Sequence, residues 1–418
     1  MPTPPPPTGP AGLHDIRETN LGSVLRAIRE GAPCSRAEVA AATGLTKATV
    51  SSIVTELIDR GLVRESGATA ERRVGRPGVM LSLDDRGFVA LGLEVNVDYL
   101  TLVAVDLLER EVVALHEPFA ARDAGPEECA ARLADLALRA LEEPSLAGRA
   151  LLGVGVAVPG MIDAAEGRVY DAPNLGWRNV PLRAWLRELL RKGGTPDVPV
   201  LVDNDANLGA VAEYRGGHLS HTPDLVYITG EVGIGAGVLV GGALLRGSTG
   251  QAGEIGHIPL RRGGPRCGCG RRGCLESLAG IDAILRQTVP DLVPAGPLPG
   301  TDLAAAVAAT VERAQEGRGA VQRALRRSGT WLGRGVATLA NLVDPDVVIL
   351  GGYFAPLAPW LLPACRAAVQ AHAIAPRRGG LRVEVSELGL TAAARGGAAA
   401  LIEALDTGRT PPPSPASR

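Results

Sequence analysis

Between residues 47 and 61 the apolar positions fall at Val50, Ile53, Val54, Leu57 and Ile58. That spacing, i, i+3, i+4, i+7 and i+8, predicts a helix with one buried stripe. Thr46 stands where a side chain can cap its first turn, and Gly61 where a left-handed residue would end it. Upstream, Leu21, Val24, Leu25 and Ile28 predict a helix over 21–30. Ser35 and Glu38 form a capping box for a helix that runs to Thr43 and stops at Gly44. Helix, glycine turn, helix is the helix-turn-helix arrangement. Residues 62–65 and 79–83 alternate like the strands of a hairpin, and its tip carries Arg72, Arg73 and Arg76 against Glu71.

With the apolar stripe inward, Lys47, Thr49, Ser51, Ser52 and Thr55 face out. Short hydrogen-bonding side chains and one cation suit a major groove. The basic tip is a wing able to hold phosphate or enter a minor groove. The expected DNA contacts are therefore Lys47, Thr49, Ser52, Arg72, Arg73 and Arg76. A small helical domain that binds protein is the plainer reading of the helices, and the wing arginines argue against it.

From Phe88 the pattern changes. Strands are expected over 89–93, 100–106, 152–158, 200–202, 225–229, 236–240 and 346–350. Helices are expected over 127–141, 182–190, 281–287, 303–315, 321–343 and 391–405. Strands alternating with helices imply α/β sheets covered on both faces.

Composition narrows the classes. A formal net charge of −2 and 46% hydrophobic residues describe a globular chain without a bulk basic charge. Aromatic residues make up 3%, too few for base stacking on single strands. The apolar run at 151–159 is too short and glycine-rich to cross a bilayer, and the proline-rich start lacks a signal-peptide core. A cytosolic protein with no membrane partner is expected, and Cys34, Cys129 and Cys365 read as inert thiols.

The chemistry concentrates in GQAGEIGHIPLRRGGPRCGCGRRGCLE, residues 250–276. His257, Cys267, Cys269 and Cys274 match the donors of a closed structural zinc site. Such a site keeps no open position for an activated water, which argues against zinc-dependent hydrolysis. Redox-active or merely buried thiols would suit one cysteine pair better than three cysteines in a glycine-rich loop.

GEIGH followed by CGCGRRGCLE resembles the signature of the ROK family, which groups sugar-responsive repressors, open reading frames and sugar kinases. Its repressors include those of xylose-repressor and N-acetylglucosamine-repressor type. The resemblance implies a zinc-braced loop against a sugar site, with Glu254, His257 and Glu276 on sugar hydroxyls. Asp203-Asn204-Asp205-Ala206-Asn207 resembles the family's N-D-A-N stretch, which makes Asn204 a sugar contact and Asp205 the position of the kinase base. Residues 88–405 resemble the two-lobed actin and hexokinase-like body. The first domain, with Gly75-Arg76-Pro77, resembles the winged domain of ROK repressors, and relatives of that kind form dimers or tetramers.

The expected organisation is a tail over 1–12, a winged helix-turn-helix over 13–85, a first lobe over 86–203 plus 390–405, a second lobe over 204–389 and a tail over 406–418. Family kinases carry Asp-x-Gly-Gly-Thr where this chain has Glu94-Val95-Asn96-Val97-Asp98, and the second phosphate turn carries Glu231. A carboxylate 4 Å from a phosphate charge is repulsive by about 4 kcal/mol at an effective dielectric near 20. Phosphoryl transfer rests on positioning and charge stabilisation, so the expectation is a regulator without kinase activity and Asp205 as a vestigial base. A sugar kinase with an added DNA-binding domain is the alternative. A DNA-binding protein with a dead sugar site is less favoured, since cleft polar groups are costly when nothing pairs with them.

Overall fold

The computed structural model describes residues 13–66, 79–293, 302–374 and 380–411. The chain opens with α1 (Leu13–Gly31), β1 (Cys34–Ser35), α2 (Arg36–Thr43), α3 (Lys47–Asp59), β2 (Val63–Ser66) and β3 (Met80–Leu83). Ser35 and Glu38 close the capping box on α2, and Gly44 ends it at φ 69°. The Thr46 side chain accepts from Thr49 N at the start of α3. Val50, Ile53, Val54 and Leu57 are buried against Leu21, Val24, Leu25 and Ile28 of α1. β2 and β3 pair antiparallel, and β1 adds to the other side of β3. The first helix is longer than its apolar spacing predicts, starting at Leu13. Arg72, Arg73 and Arg76, the expected wing contacts, lie outside the described residues.

Two five-stranded sheets follow, built on one plan. The first comprises β4 (Phe88–Val95), β5 (Tyr99–Val105), β6 (Glu111–Pro118), β7 (Ala150–Val158) and β11 (Val200–Asn204), in the order β11-β7-β4-β5-β6. The second comprises β12 (Leu225–Gly230), β13 (Ile234–Val240), β14 (Ala243–Leu244), β15 (Val347–Gly352) and β16 (Arg382–Val385), in the order β14-β13-β12-β15-β16. In each, the leading strand pairs antiparallel with the next strand and parallel with a strand returning by crossover. That repeat is the two-lobed actin and hexokinase-like body. A small sheet of β8 (Met161–Asp163), β9 (Arg168–Ala172) and β10 (Trp177–Val180) flanks the first lobe.

The helices are α4 (Ala121–Leu141), α5 (Leu182–Lys192), α6 (Asp205–Gly216), α7 (Leu275–Ala279), α8 (Ile281–Thr288), α9 (Leu303–Gln315), α10 (Gly319–Val343), α11 (Phe354–His372) and α12 (Ala392–Asp406). α4 and α5 bury Leu133, Leu136, Leu182 and Leu186 against the first sheet, and α7 to α11 close the core of the second. α12 lies on the first sheet at backbone distance. A Cβ on Gly92 would overlap the Ala394 carbonyl, and one on Gly155 the Gly397 carbonyl. α6 packs on the opposite side of α12, where a Cβ on Gly396 would overlap the Leu208 carbonyl.

One expectation is corrected here. The sequence puts the C-terminal tail from Asp406 onward, yet Asp406 ends α12 with 3% exposure and is ion-paired to Arg29. Beyond it the chain turns back, with Thr410 N donating to Ala404 O at 3.0 Å. A proline-rich sequence after Thr410 hides a closing turn that is packed on α1.

Candidate functional site

β11 delivers Asp203 and Asn204 to its C-terminal end, beside Ala157 and Val158 of β7. Asn204 then caps α6, its side chain accepting from Asn207 N at 3.1 Å while its own amide donates to Gly160 O at 3.1 Å. Asp205 opens the helix. Its carboxylate accepts from Ala206 N at 2.8 Å. Burial pushes its pKa up to about 6, and the charge of nearby Glu254 adds to the rise. Strand end plus helix N-terminus therefore fixes both side chains at the mouth of the cleft.

Glu254 reaches the same place from the loop after β14. Burial raises its carboxyl above the usual range; His257 opposes the rise and Glu276 reinforces it. Glu276, in the first turn of α7, accepts from Ile234 N at 3.3 Å, and its other oxygen lies 3.5 Å from Cys267 Sγ. Asn204, Asp205, Glu254, His257 and Glu276, expected from separate stretches of sequence, thus meet in one polar patch between the lobes.

Behind the patch stand His257, Cys267, Cys269 and Cys274, their donor atoms all within 4.8 Å of one another. His257 Nδ1 is 3.6 Å from Cys267 Sγ, and Cys269 Sγ is 3.7 Å from Cys274 Sγ. Tetrahedral zinc with bonds of about 2.3 Å to sulfur and 2.0–2.1 Å to nitrogen spaces its ligands by about 3.5–3.8 Å. The donor set and these two separations fit that ion. Nδ1 faces the thiols, while Nε2 lies 3.9 Å from Glu254 Oε2. Arg271 donates to Cys269 Sγ at 3.4 Å and pulls that thiol down to about 6. Burial raises the thiols of Cys267 and Cys274.

Close enough to Asp205 to feel its charge, the end of β4 and the turn after β12 hold further carboxyls. Glu94 and Glu231 have 1% and 7% exposure. The Tyr99 hydroxyl lies 2.9 Å from Glu94 Oε1 and 3.2 Å from Glu231 Oε2, and Thr229 Oγ1 donates to Glu231 Oε1 at 3.2 Å. Burial, reinforced by Asp205, pushes Glu94 up to about 8. Burial and then Glu94 raise Glu231 well above the carboxylate range. Asp98 is raised to about 6, chiefly by burial. Val95 is buried behind them.

Three neighbours of the site carry no signal in the sequence. Arg246 pairs with Asp203 at 2.6 Å, holding the β13–β14 side of the cleft to the end of β11. Asn174 and Glu276 both press on Gly233, where a Cβ would sit 2.6 Å from Glu276 Oε2 and 3.7 Å from Asn174 Nδ2. Tyr99 joins the two acidic turns. None of these belongs to a local motif; only the fold brings them in. On the other domain, Lys47 and Ser52 are exposed on α3, whereas Thr49 is half-buried with its hydroxyl 2.8 Å from that of Thr46.

The ROK family profile matches residues 91–404, and the MarR family profile matches residues 22–73. The chain belongs to the ROK family, with a helix-turn-helix domain of MarR type ahead of the ROK body. It is 30% identical to the xylose repressor of Caldicellulosiruptor bescii over 386 residues, 90% of this chain and 94% of that protein. Among solved structures, a ROK family transcriptional regulator homologous to the E. coli MLC protein aligns with a TM-score of 0.78 at 25% identity, covering 94% of this chain and 98% of that one. A ROK glucokinase from Streptomyces griseus, in complex with glucose and AMPPNP, aligns at 0.61 and 28% identity over 74% of this chain and 98% of its own. Among the described residues no helix is long and apolar enough to cross a membrane.

Proposed function

We propose that this protein is a sugar-responsive transcriptional regulator, in the sense of repression, of carbohydrate genes. The observation that carries the reading is the single polar patch of Asn204, Asp205, Glu254, His257 and Glu276, attached in one chain to a helix-turn-helix domain. Carboxylates and an amide held by a strand end, a helix cap and a metal-braced loop are rigid acceptors, which is what a ring of sugar hydroxyls needs. The effector is a monosaccharide or a close derivative. The partner of α3 and the wing is double-stranded operator DNA, which a cytoplasmic homodimer or homotetramer would grip at two half-sites. The division of the body near 203 and 390, and of the DNA-binding domain near 85, follows from this assignment.

Zinc(II) fits the His257, Cys267, Cys269 and Cys274 donors. When bound it supplies structural bracing and no catalytic water. Through His257 it would fix the ring whose Nε2 edge faces Glu254. Asp205 is retained at the kinase base position, and its raised pKa would suit a proton acceptor. Against phosphoryl transfer stand Glu94, Asp98 and Glu231, where nucleotide phosphates would need bare backbone N–H groups. Asp205 then accepts a sugar hydroxyl and goes no further.

The test is a thermal-shift screen of the intact protein against D-xylose, D-glucose and N-acetyl-D-glucosamine, followed by duplex binding with and without the sugar that stabilises it. Glu254→Ala should bind the duplex like the parent and lose the response to sugar. An unchanged response in Glu254→Ala would show that the site lies elsewhere.

A further inference from the structure

We infer that Asp406 is the positioning residue that ties the sugar site to the DNA-binding domain, through the ion-paired chain Glu109–Arg215–Asp406–Arg29. The inference rests on the regulator reading above.

α6 is the rod of this device. Its first residues, with the Asn204 cap, form the floor of the sugar patch, and Arg215 sits in its last turn. The helix of 12 residues spans about 18 Å between them. Residues 205–213 are buried along its length. Gly209 seats the Tyr227 ring, a Cβ on Gly237 would overlap the Ala206 carbonyl, and Gly396 of α12 meets the Leu208 carbonyl. Packing that close on several sides leaves α6 no room to bend, so a displacement at Asn204 or Asp205 moves Arg215 with it.

At that far end the charges are enclosed. Arg215 Nε donates to Glu109 Oε1 and Oε2 at 2.9 and 3.0 Å, and one terminal nitrogen donates both to Glu109 and to Asp406 Oδ2, the latter at 3.2 Å. Asp406 in turn holds Arg29 of α1 by two bonds, 2.9 Å from Nε and 3.1 Å from a terminal nitrogen. Arg29 also donates to the Leu107 carbonyl. Side-chain exposures are 14% for Arg215, 3% for Asp406, 15% for Arg29 and 17% for Glu109, so these pairs are poorly screened by water. The four groups lie on the β5–β6 turn, on α6, at the end of α12 and on the first helix. Because Arg215 has two carboxylates, it can release Asp406 and still keep Glu109. Asp406 then has only Arg29, and the seat of α1 changes. α1 has little slack there, since a Cβ on Gly22 would lie 2.8 Å from the Asp406 carbonyl oxygen and 2.7 Å from Gly408 N.

Full-length Asp406→Asn and Arg29→Gln should be compared with the parent using whichever of D-xylose, D-glucose and N-acetyl-D-glucosamine binds, and a duplex enriched from a random library by the intact protein. Coupling between two sites typically changes affinity by about 5- to 150-fold. The expected result is that both variants bind the sugar as the parent does, while the sugar-induced change in duplex affinity falls to within about twofold of none. Amide exchange in α1 should respond to sugar in the parent and not in the variants, a readout that simple loss of stability would not give. Arg29→Gln keeps Arg215, Asp406 and Glu109 together, so it carries the test if Asp406→Asn folds poorly. A parental response that survives in both variants overturns the relay alone. A parent that binds sugar and duplex without either altering the other also overturns it. A parent that binds none of the sugars sinks the sugar reading and the relay with it.

Discussion

Tyr99 and Glu231, on opposite sides of the cleft, meet at 3.2 Å, and the same hydroxyl lies 2.9 Å from Glu94. A phenol has one hydrogen to donate, and burial holds Tyr99 in its protonated form. With two carboxyls on one hydroxyl, one must bring its own proton. Burial and Glu94 raise Glu231, so it can supply that proton, and a neutral acid there bonds the lobes where two anions would repel.

Stability should therefore depend on pH in a defined direction. Glu94 is raised from 4.5 to about 8, so between those values the folded chain holds a proton that the unfolded chain has lost. A raised folded pKa stabilises fully below the unfolded value and is lost as pH rises through the folded one. The melting temperature should fall from pH 5 to pH 8, the unfolding free energy decreasing by at most about 1.4 kcal/mol per pH unit for each proton held. Glu94→Gln and Glu231→Gln should each flatten the fall. A parent whose melting temperature rises over that range contradicts the arrangement.

ATP should neither stabilise the protein nor be turned over with any of the probe sugars. Calorimetry with ATP and magnesium, alongside a coupled assay for ADP, checks both. Sugar-dependent turnover that disappears in Asp205→Asn would instead establish a kinase.

Protein purified without added metal should contain about one zinc per chain by elemental analysis. Cys269→Ser should lower that content and the melting temperature together, since metal binding in such sites is also folding energy. A metal-free chain with parental stability would remove zinc from the account.

Substitution of Lys47 or Ser52 should change which duplex sequence is preferred. Removing Arg72, Arg73 or Arg76 should weaken binding to most sequences and lower the slope against salt by about 0.9 for each phosphate left unneutralised. Thr46 is the cap of α3, so Thr46→Ala should cost helix stability by about 1 kcal/mol, whereas Thr49→Ala keeps the capping bond from its backbone N–H. Selection from random duplexes followed by salt titration reads each effect separately.

Gly396→Ala should destabilise the body by about 1–3 kcal/mol through overpacking, because the new methyl group would overlap the Leu208 carbonyl. Gly216→Ala is the control for crowding, since no atom lies within 4 Å of its Cβ position. Equal melting temperatures for Gly396→Ala and the parent would mean that α6 and α12 have slack.

The legible parts of this chain are those set by local rules. Capping at Ser35 and Thr46, the stripe on α3 and the ligand loop all depend on residues a few positions apart. α11 escapes such a reading, because Pro359 and Pro363 interrupt it as a sequence while tertiary packing carries it through. The apolar pattern starts α4 at residue 127; the chain enters it from Ala121 across a break at Gly125, with φ 80°. Tyr99, Asn174, Arg246 and the Arg29–Asp406 pair are invisible for a different reason. Each acts on a partner distant in sequence, and no spacing encodes such a meeting.

The close seating of α12 has a consequence for how the protein is made. The apolar cluster beneath the DNA-binding domain begins at Leu21 and takes in Ala394, Ala398, Leu401, Ile402 and Leu405. Those residues are synthesised after nearly everything they cover. At about 5–20 residues per second, α1 waits for roughly 20 s or longer and the completed first sheet for roughly 10 s or longer, each with one face bare. During that interval the growing chain exposes an apolar seam that its own last helix later covers, the kind of surface that makes an unfinished chain prone to aggregate.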